Sequence, residues 1–387
     1  MKYDVVVVGL GTAGAAALYE LCQIPNLKVL GIDSYQVPHL QSSHGGFSRI
    51  IRKAYFEHPD YVPLLQEAYN NWVSLENKFQ QKMFHSCGVL YVGNQDHNLI
   101  SGVKRAAELY HIHIEEYNQS QLKNKFPIFK PKPHDQIIFE PEAGWIDVNL
   151  YLNTILQSCS HTPGQLLFNE PLIDWSYAQG MYHLQTLNHK IQTQKVIFSN
   201  GPSMNKTLPF LQNSLNTTKQ VYSWFEPANK LTNHWKNMPC WCFGYSDLEN
   251  IFYGLPNEHY HKKGNFGMMK FGFHKTGEIL NNWQNKSHIY EQEKNILKKF
   301  LNQSFEFIDE GTMNYDTCIY TNSTDQNFII DYVPNSNKTA MLISACSGHG
   351  FKFSPLLGKI AKELIIEGET HYNINLFKLE RFLNKIT

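Results

Sequence analysis

The sequence has no surplus of charge: 34 Lys and Arg balance 34 Asp and Glu over 387 residues. Binding to nucleic acid or an anionic membrane needs a basic excess or stripe, so neither partner is expected. No run approaches the roughly 20 apolar residues of a membrane helix. The apolar stretch from Val5 to Tyr19 follows Lys2 as a signal peptide core would. Asp4 separates it from that lysine, and glycines stand where leucine would be expected, so it reads as a strand and a turn. Cysteine is sparse and odd in number, seven residues at 22, 87, 159, 240, 242, 318 and 346. That excludes a disulfide framework, and Cys240-Trp-Cys242 has no second pair at zinc-site spacing, so no metal is expected. The cysteine usage suits a reducing, cytoplasmic location. Internal repeats and low-complexity linkers are missing too. With 42% hydrophobic and 18% charged residues, disorder is excluded, and the length allows two or three domains with a large core.

What is present begins with strand, glycine turn, helix, strand. Val5–Val8 is a β-branched run of the kind buried on both faces of a parallel sheet. Gly9-Leu-Gly11-Thr-Ala-Gly14 follows, then a helical stretch from Ala15 to Cys22 and a second strand, Leu27–Ile32, ending at Asp33. Residues 60–84 read as a helix, with Tyr61, Leu64, Leu65, Ala68, Trp72 and Leu75 at i, i+3, i+4 spacing. Lys195–Phe198 is another buried strand. Residues 221–274 alternate apolar with polar as antiparallel strands do, and 288–302 has helical periodicity. Near the C-terminus Ala340–Ser344 reads as a strand, and Ser347-Gly-His-Gly350 as a turn into a helix over 355–367. Ser354 suits its N-cap and Pro355 its first position. The expected fold class is α/β (α+β): a Rossmann-type domain built from separated segments (1–85, 146–220 and 315–387) with an inserted antiparallel-sheet substrate domain (86–145 and 221–314).

Gly9, Gly11 and Gly14 lie directly after a strand and open a helix. The first permits the tight turn, the second lets a pyrophosphate approach the backbone, and the third packs helix on strand. Free N–H groups and the helix dipole would hold phosphates there. Asp33 lies where a carboxylate accepts hydrogen bonds from ribose hydroxyls. This fingerprint does not distinguish FAD from NAD.

Four further segments narrow the choice: Ser43-His-Gly-Gly-Phe-Ser-Arg49-Ile-Ile-Arg52, Tyr253-Gly254, Met269-Lys270-Phe-Gly-Phe-His274, and Thr317-Cys318-Ile-Tyr320 with Ser347-Gly-His-Gly-Phe-Lys352-Phe-Ser354. In this order and spacing the chain resembles the monomeric sarcosine oxidase and N-methyl-L-tryptophan oxidase family, essentially from end to end. The resemblance implies covalently bound FAD, O2 as electron acceptor, a monomer, and oxidative demethylation of N-methyl amino acids to formaldehyde, amino acid and H2O2. Two departures bear on the substrate more than on the cofactor. Around Arg49 the family pattern reads Ser-His-His-Gly-Asp-Thr-Arg, whereas this chain has Gly45, Phe47 and Ser48. After Asn200-Gly201, Pro202-Ser203 replaces a small residue and Trp.

A buried cysteine is ordinarily a small hydrophobe; at Cys318 the resemblance implies a thioether to the flavin. Lys270 and His274 fall on one face of a strand, where the resemblance puts the lysine over the flavin to activate O2, a fixed ammonium stabilising the nascent superoxide anion. For His274 a structural hydrogen bond and substrate contact both remain open. Arg52 and Lys352 read as a carboxylate clamp, Arg supplying a planar fork and Lys a point charge. Two cations converging without an acidic partner would call for an anionic ligand. Arg49 is expected at the flavin or its reactive edge, with Ser43 and His44 also at the cofactor. Gly348 and Gly350 would give a backbone donor site for charge developing on the flavin, and Tyr253 would border the amine pocket. Tyr222, Trp224, Trp241 and Phe243 are expected in the sheet core. Related enzymes acting on fructosyl amino acids or on cyclic amines such as pipecolate, and a non-catalytic redox sensor, are the alternative readings.

Overall fold

The computed structural model describes residues 1–160, 164–225, 237–245, 250–256, 269–274, 277–306, 313–344 and 347–383. Cys346 lies outside them.

The β-branched opening forms the strand Lys2–Val8, whose last four side chains are buried. Parallel neighbours flank it, with Val5 beside Val29 on one side and Lys195 on the other. The parallel run continues outward to Gln165–Leu167 and Ala340–Ser344. Along the edge away from Lys2–Val8, the long strand Lys190–Phe198 serves two partners. Its first half pairs antiparallel with the strand Met181–Thr186, and its last residues pair with Ala340–Ser344. Helices Thr12–Cys22, Tyr61–Phe79, Val148–Cys159 and Ser354–Glu367 share one core cluster with this sheet. All six apolar positions expected to line the Tyr61–Phe79 helix are buried. That helix stops at Gln80, which takes a left-handed conformation, and so is shorter than its periodicity suggested. The helix Ser354–Glu367 starts one residue early, with Phe353 at the N-cap. Ser354 therefore does not cap. Its hydroxyl donates to the Thr12 carbonyl and meets the Tyr151 hydroxyl, tying the two ends of the chain together.

A second eight-stranded sheet holds the aromatic strands, in the order Asn314–Ser323, Leu215–Phe225, Met269–His274, Ile251–Leu255, Cys240–Gly244, Val89–Gly93, Gln136–Glu140 and Glu115–Tyr117. It is antiparallel apart from one junction: Cys240–Gly244 runs parallel to Val89–Gly93, since these strands come from separate segments. Val221, Phe225, Trp241, Phe243, Phe271 and Phe273 face the helix Glu291–Ser304 and its apolar cluster. The alternate residues point the other way. Tyr222 and Trp224 are among these, clustering with Cys318 and Tyr320 rather than in the helix-covered core. We retain the two-domain division as a proposal. Because Leu215–Phe225 and Asn314–Ser323 pair over their whole length in the second sheet, we set the substrate domain's limits at Leu215 and Ser323 rather than 221 and 314.

Candidate active site

The glycine turn closes the top of the parallel sheet. Gly9 has φ 86, and a Cβ on Gly14 would lie 1.8 Å from the Gly9 carbonyl oxygen, so helix and strand touch as only glycine permits. Asp33 Oδ2 accepts from Leu10 N at 2.7 Å and Oδ1 from Tyr35 N at 2.9 Å. A cleft of about 900 Å³ opens here, lined by Gly9, Gly11, Asp33, Ser43, His44, Asn200, Lys206 and Thr321, among others. Several buried polar atoms on its wall have no partner: His39 Nδ1, Gln41 Oε1, Asn200 Oδ1 and Thr321 Oγ1. Buried polar groups are normally hydrogen-bonded. A large ligand carrying phosphate, ribose and ring polar groups would satisfy these orphans, so the residues present fit a dinucleotide.

The same two segments lead inward. Ser43-His44 and Thr321 line the large cleft, while Ser48-Arg49, Cys318 and Tyr320 line a smaller one of about 80 Å³. The inner cleft brings together Arg49, Arg52, Tyr253, Lys270, His274, Cys318, Gly348 and Lys352. Strand alternation explains much of this. Lys270 and His274 share a face, opposite Met269 and Phe271, and Tyr253 follows the same parity on its neighbour. Gly350 does not line either cleft. Gly348 does, with φ 77, and its missing Cβ leaves room for the Tyr320 ring, which a side chain would meet at 2.3 Å.

Lys270 is buried, and its Nζ donates to the carbonyls of Gly46 (2.8 Å) and Ser48 (3.3 Å). It lies 4.9 Å from the Tyr222 ring centroid. Burial, followed by Arg49, pushes its ammonium well below the usual lysine range. Arg49 donates to the carbonyls of Ser43, Gly45 and Ser48, holding the loop that carries these acceptors. His44 accepts from His39 N, and burial, then the neighbouring His39, Arg49 and Lys286, push it well below the usual histidine range. Cys318 is buried, and burial pushes its thiol up.

The clamp departs from expectation. Arg52 is not without an acidic partner: its Nη2 donates to both oxygens of Glu57, at 2.6 and 2.7 Å. Glu57 had no motif to mark it. It lies five residues past Arg52, on a turn that doubles back to the guanidinium. Burial alone would raise the Glu57 carboxyl, but Arg52, with His349 and Lys352 behind it, holds it at about 2. Lys352 donates to the His349 carbonyl at 2.7 Å. Burial, then Arg52, pushes its ammonium down to about 7, against the pull of Glu57. A second overlooked carboxylate, Glu140, positions Arg52 from below by accepting from Lys53 N, Ala54 N and the Tyr91 hydroxyl.

Residues 4–364 match the model of a family described as FAD dependent oxidoreductases. The chain belongs to this FAD-dependent oxidoreductase family. Among curated members, the N-methyl-L-tryptophan oxidase of Yersinia pestis is 29% identical over 387 residues, covering 99% of this chain and 100% of that protein. NikD, an unusual amino acid oxidase essential for nikkomycin biosynthesis, has the same fold, with a TM-score of 0.84, 19% identity and 97% of both chains covered. So has the fructosamine oxidase of Aspergillus fumigatus, with a TM-score of 0.77, 16% identity, 97% of this chain covered and 89% of that one. The motifs had pointed to this flavoprotein group, and FAD is the dinucleotide that the large cleft fits. Bound there, it would be held by the Gly9–Gly14 turn, Asp33 and the orphaned polar atoms.

Two histidines give the site an acid limit. Burial pushes His349 and His274 from 6.5 down to about 4. A group with a depressed folded pKa binds its proton more readily when unfolded, so the stability it carries is complete above pH 6.5 and is lost as pH falls through about 4. The loss approaches about 3 kcal/mol for each histidine. Urea midpoints measured from pH 7 to pH 4 should fall over this window, and less steeply for His349→Gln. An unchanged slope in that variant would place the acid sensitivity elsewhere.

Proposed function

We propose that the chain is an FAD-dependent oxidase of small N-methyl amino acids, passing electrons to O2 with release of H2O2. The observation that carries this reading is one inner cleft in which a buried cation pair, Arg52 and Lys352, lies with Lys270 and Cys318. The relatives named above act on amino acids and substituted amines, which supports the same substrate class. A redox sensor has no use for a buried clamp of this kind.

Arg52 and Lys352 bind the substrate carboxylate, which takes over the guanidinium edge now held by Glu57. The amine then faces a wall of cations and two neutral histidines. Burial and like-charge repulsion from Arg52, joined by Lys352 when it is protonated, disfavour an ammonium there, so the substrate reacts as the free amine. Phe56, Ile251, Tyr253 and Leu255 enclose the N-substituent and exclude water. His274, with Nδ1 3.3 Å from the Tyr320 hydroxyl, fixes that hydroxyl at the edge of the pocket. Bound FAD supplies the two-electron oxidation of the C–N bond, and the imine product hydrolyses in water. Lys270 stabilises the negative charge that O2 acquires: burial depresses its pKa, and an anion formed beside it in a dry site favours the ammonium form. Cys318 supplies the thioether that retains the cofactor.

Acid precipitation should leave the yellow colour in the protein pellet, and Cys318→Ala should release it to the supernatant. Free FAD in the wild-type supernatant would rule out the thioether. Lys270→Met should slow reoxidation of the reduced enzyme by O2 by about 10²–10³ while leaving anaerobic reduction by substrate much less affected, as for one lost charge-stabilising donor. Equal slowing of both half-reactions, followed by stopped-flow, would assign Lys270 to binding or structure.

The clamp is tested by two substitutions with opposite signs. Arg52→Ala should weaken carboxylate ligands by about 1.5–3 kcal/mol. Glu57→Gln should tighten them, because it removes the competing anion. A secondary amine without a carboxylate should respond much less to Arg52→Ala. Spectral titration of the bound flavin reads all of these. Parallel losses for both ligand types would mean that Arg52 supports the fold rather than the substrate.

A further inference from the structure

Cys87 and Cys240 play no part in the chemistry above, yet their sulfurs are 3.8 Å apart. They sit where the second sheet has its parallel junction: Cys87 two residues before Val89 and Cys240 opposite it. The backbone fixes this approach from both sides. Cys240 N donates to the Gly88 carbonyl at 3.0 Å, and Gly88 N to the Ala143 carbonyl at 2.8 Å. Gly88 itself has φ 77, and a Cβ there would strike the Phe139 ring at 2.2 Å, so the turn that presents Cys87 has little freedom. The two thiols differ in access: Cys87 is half-buried and Cys240 fully buried. Cys22 and Cys159 are also neighbours, across the helices Thr12–Cys22 and Val148–Cys159, but both are buried, whereas Cys87 is more accessible.

We propose that Cys87 and Cys240 form a dithiol modification site, which hydrogen peroxide converts to a disulfide joining the two strands behind the amine pocket. The proposed oxidase reading enters only as the source of the peroxide. The Cys87 thiolate, reached from solvent, attacks one peroxide oxygen. The O–O bond breaks, Cys87 becomes a sulfenic acid, and the departing hydroxide takes a proton and leaves as water. The Cys240 sulfur then displaces the sulfenic hydroxyl, forming the S–S bond, and the thiol proton leaves with that hydroxyl as a second water. Two thiols are oxidised and one peroxide is reduced, so the step balances without another reactant. Burial, with Cys87 alongside, pushes the Cys240 thiol well above its usual range, so the more accessible Cys87 is the one that meets the peroxide first. The sulfurs must close from 3.8 Å to about 2.0 Å, a contraction within reach of side-chain rotation and a small strand shift. The consequence falls on the substrate site. Cys242, two residues along and therefore on the same face, lines the inner cleft and pairs with Tyr253.

The experiment treats the FAD-loaded protein with hydrogen peroxide in the absence of any amine, then denatures it in an alkylating reagent and maps the peptides. The treated protein should lose two titratable thiols and yield one linked peptide pair, Cys87 to Cys240, lacking two hydrogens and restored by dithiothreitol. Cys22 and Cys159 should remain reduced. Under the same treatment Cys240→Ser should accumulate a sulfenic acid at Cys87 that dimedone traps. The proposal is overturned if both thiols stay alkylatable, or if Cys87 passes to the sulfinic acid without linkage. A second arm runs turnover of sarcosine in air, with and without catalase. A disulfide formed by added peroxide but not during turnover would count against the oxidase reading alone, leaving the dithiol site standing.

Discussion

The central constraint on this molecule is the desolvation of cations. Arg52, Lys270 and Lys352 are each about 95% or more buried, and charge removed from water must be met by partners nearby. The structure provides few full anions: Glu57 for Arg52 and, within the field of Lys270, Asp316. The remainder is met by backbone carbonyls, those of Gly46 and Ser48 for Lys270, His349 for Lys352 and Ala54 for Arg52. Carbonyls carry partial charges only, so the cleft keeps a positive potential. That potential is what the proposed carboxylate-binding role draws on.

Both sheets are needed to build it. The parallel sheet ends at the glycine turn and sets the large cleft. The mixed sheet lies against it with alternate side chains facing inward, so a helix-covered aromatic layer forms one face and Lys270, Tyr253 and Cys318 the other. Arg52 comes from neither long sheet. It follows the short strand Ser48–Ile51, which pairs with Gly144–Asp147, and Glu140 grips the two amides beyond it. The Trp72 indole donates to the carbonyl of Lys352 at 2.9 Å, so a core helix fixes the other half of the proposed clamp.

Much of this was legible in the chain. The glycine turn and the flanking β-branched strand depend on local rules, and so does the common face of Lys270 and His274. Less legible were features that depend on contacts distant in sequence. The parallel junction joins segments that no local pattern relates, and the split of four aromatics between two faces follows from register, not composition. Glu57 was missed because a single carboxylate on a turn has no periodicity. Its importance arises only when the chain folds it back on Arg52. Glu140 was hidden for the same reason, its three donors coming from two other segments.

The loop between Ser43 and Arg49 shows how the departures from the family pattern fit together. Gly46 and Phe47 have φ of 94 and 65, and for a bulky residue such as Phe47 the left-handed region costs about 1–2 kcal/mol. Such strain persists only where the surroundings over-determine the conformation. Arg49 grips the carbonyls of Ser43, Gly45 and Ser48, Lys270 shares the Ser48 carbonyl and adds that of Gly46, Val148 N donates to the Phe47 carbonyl at 2.8 Å, and the Phe47 ring centroid lies 6.0 Å from that of Trp224. The same contacts solvate the buried ammonium. An aspartate at 47, as in the family pattern, would add an anion next to a loop that already meets Lys270 with carbonyls. The phenyl ring instead extends the apolar cluster of Tyr222, Trp224, Cys318 and Tyr320. Lys270 thus has no directly bonded counter-ion in a drier cleft, where burial disfavours its charged form and an anion placed beside it would restore that charge.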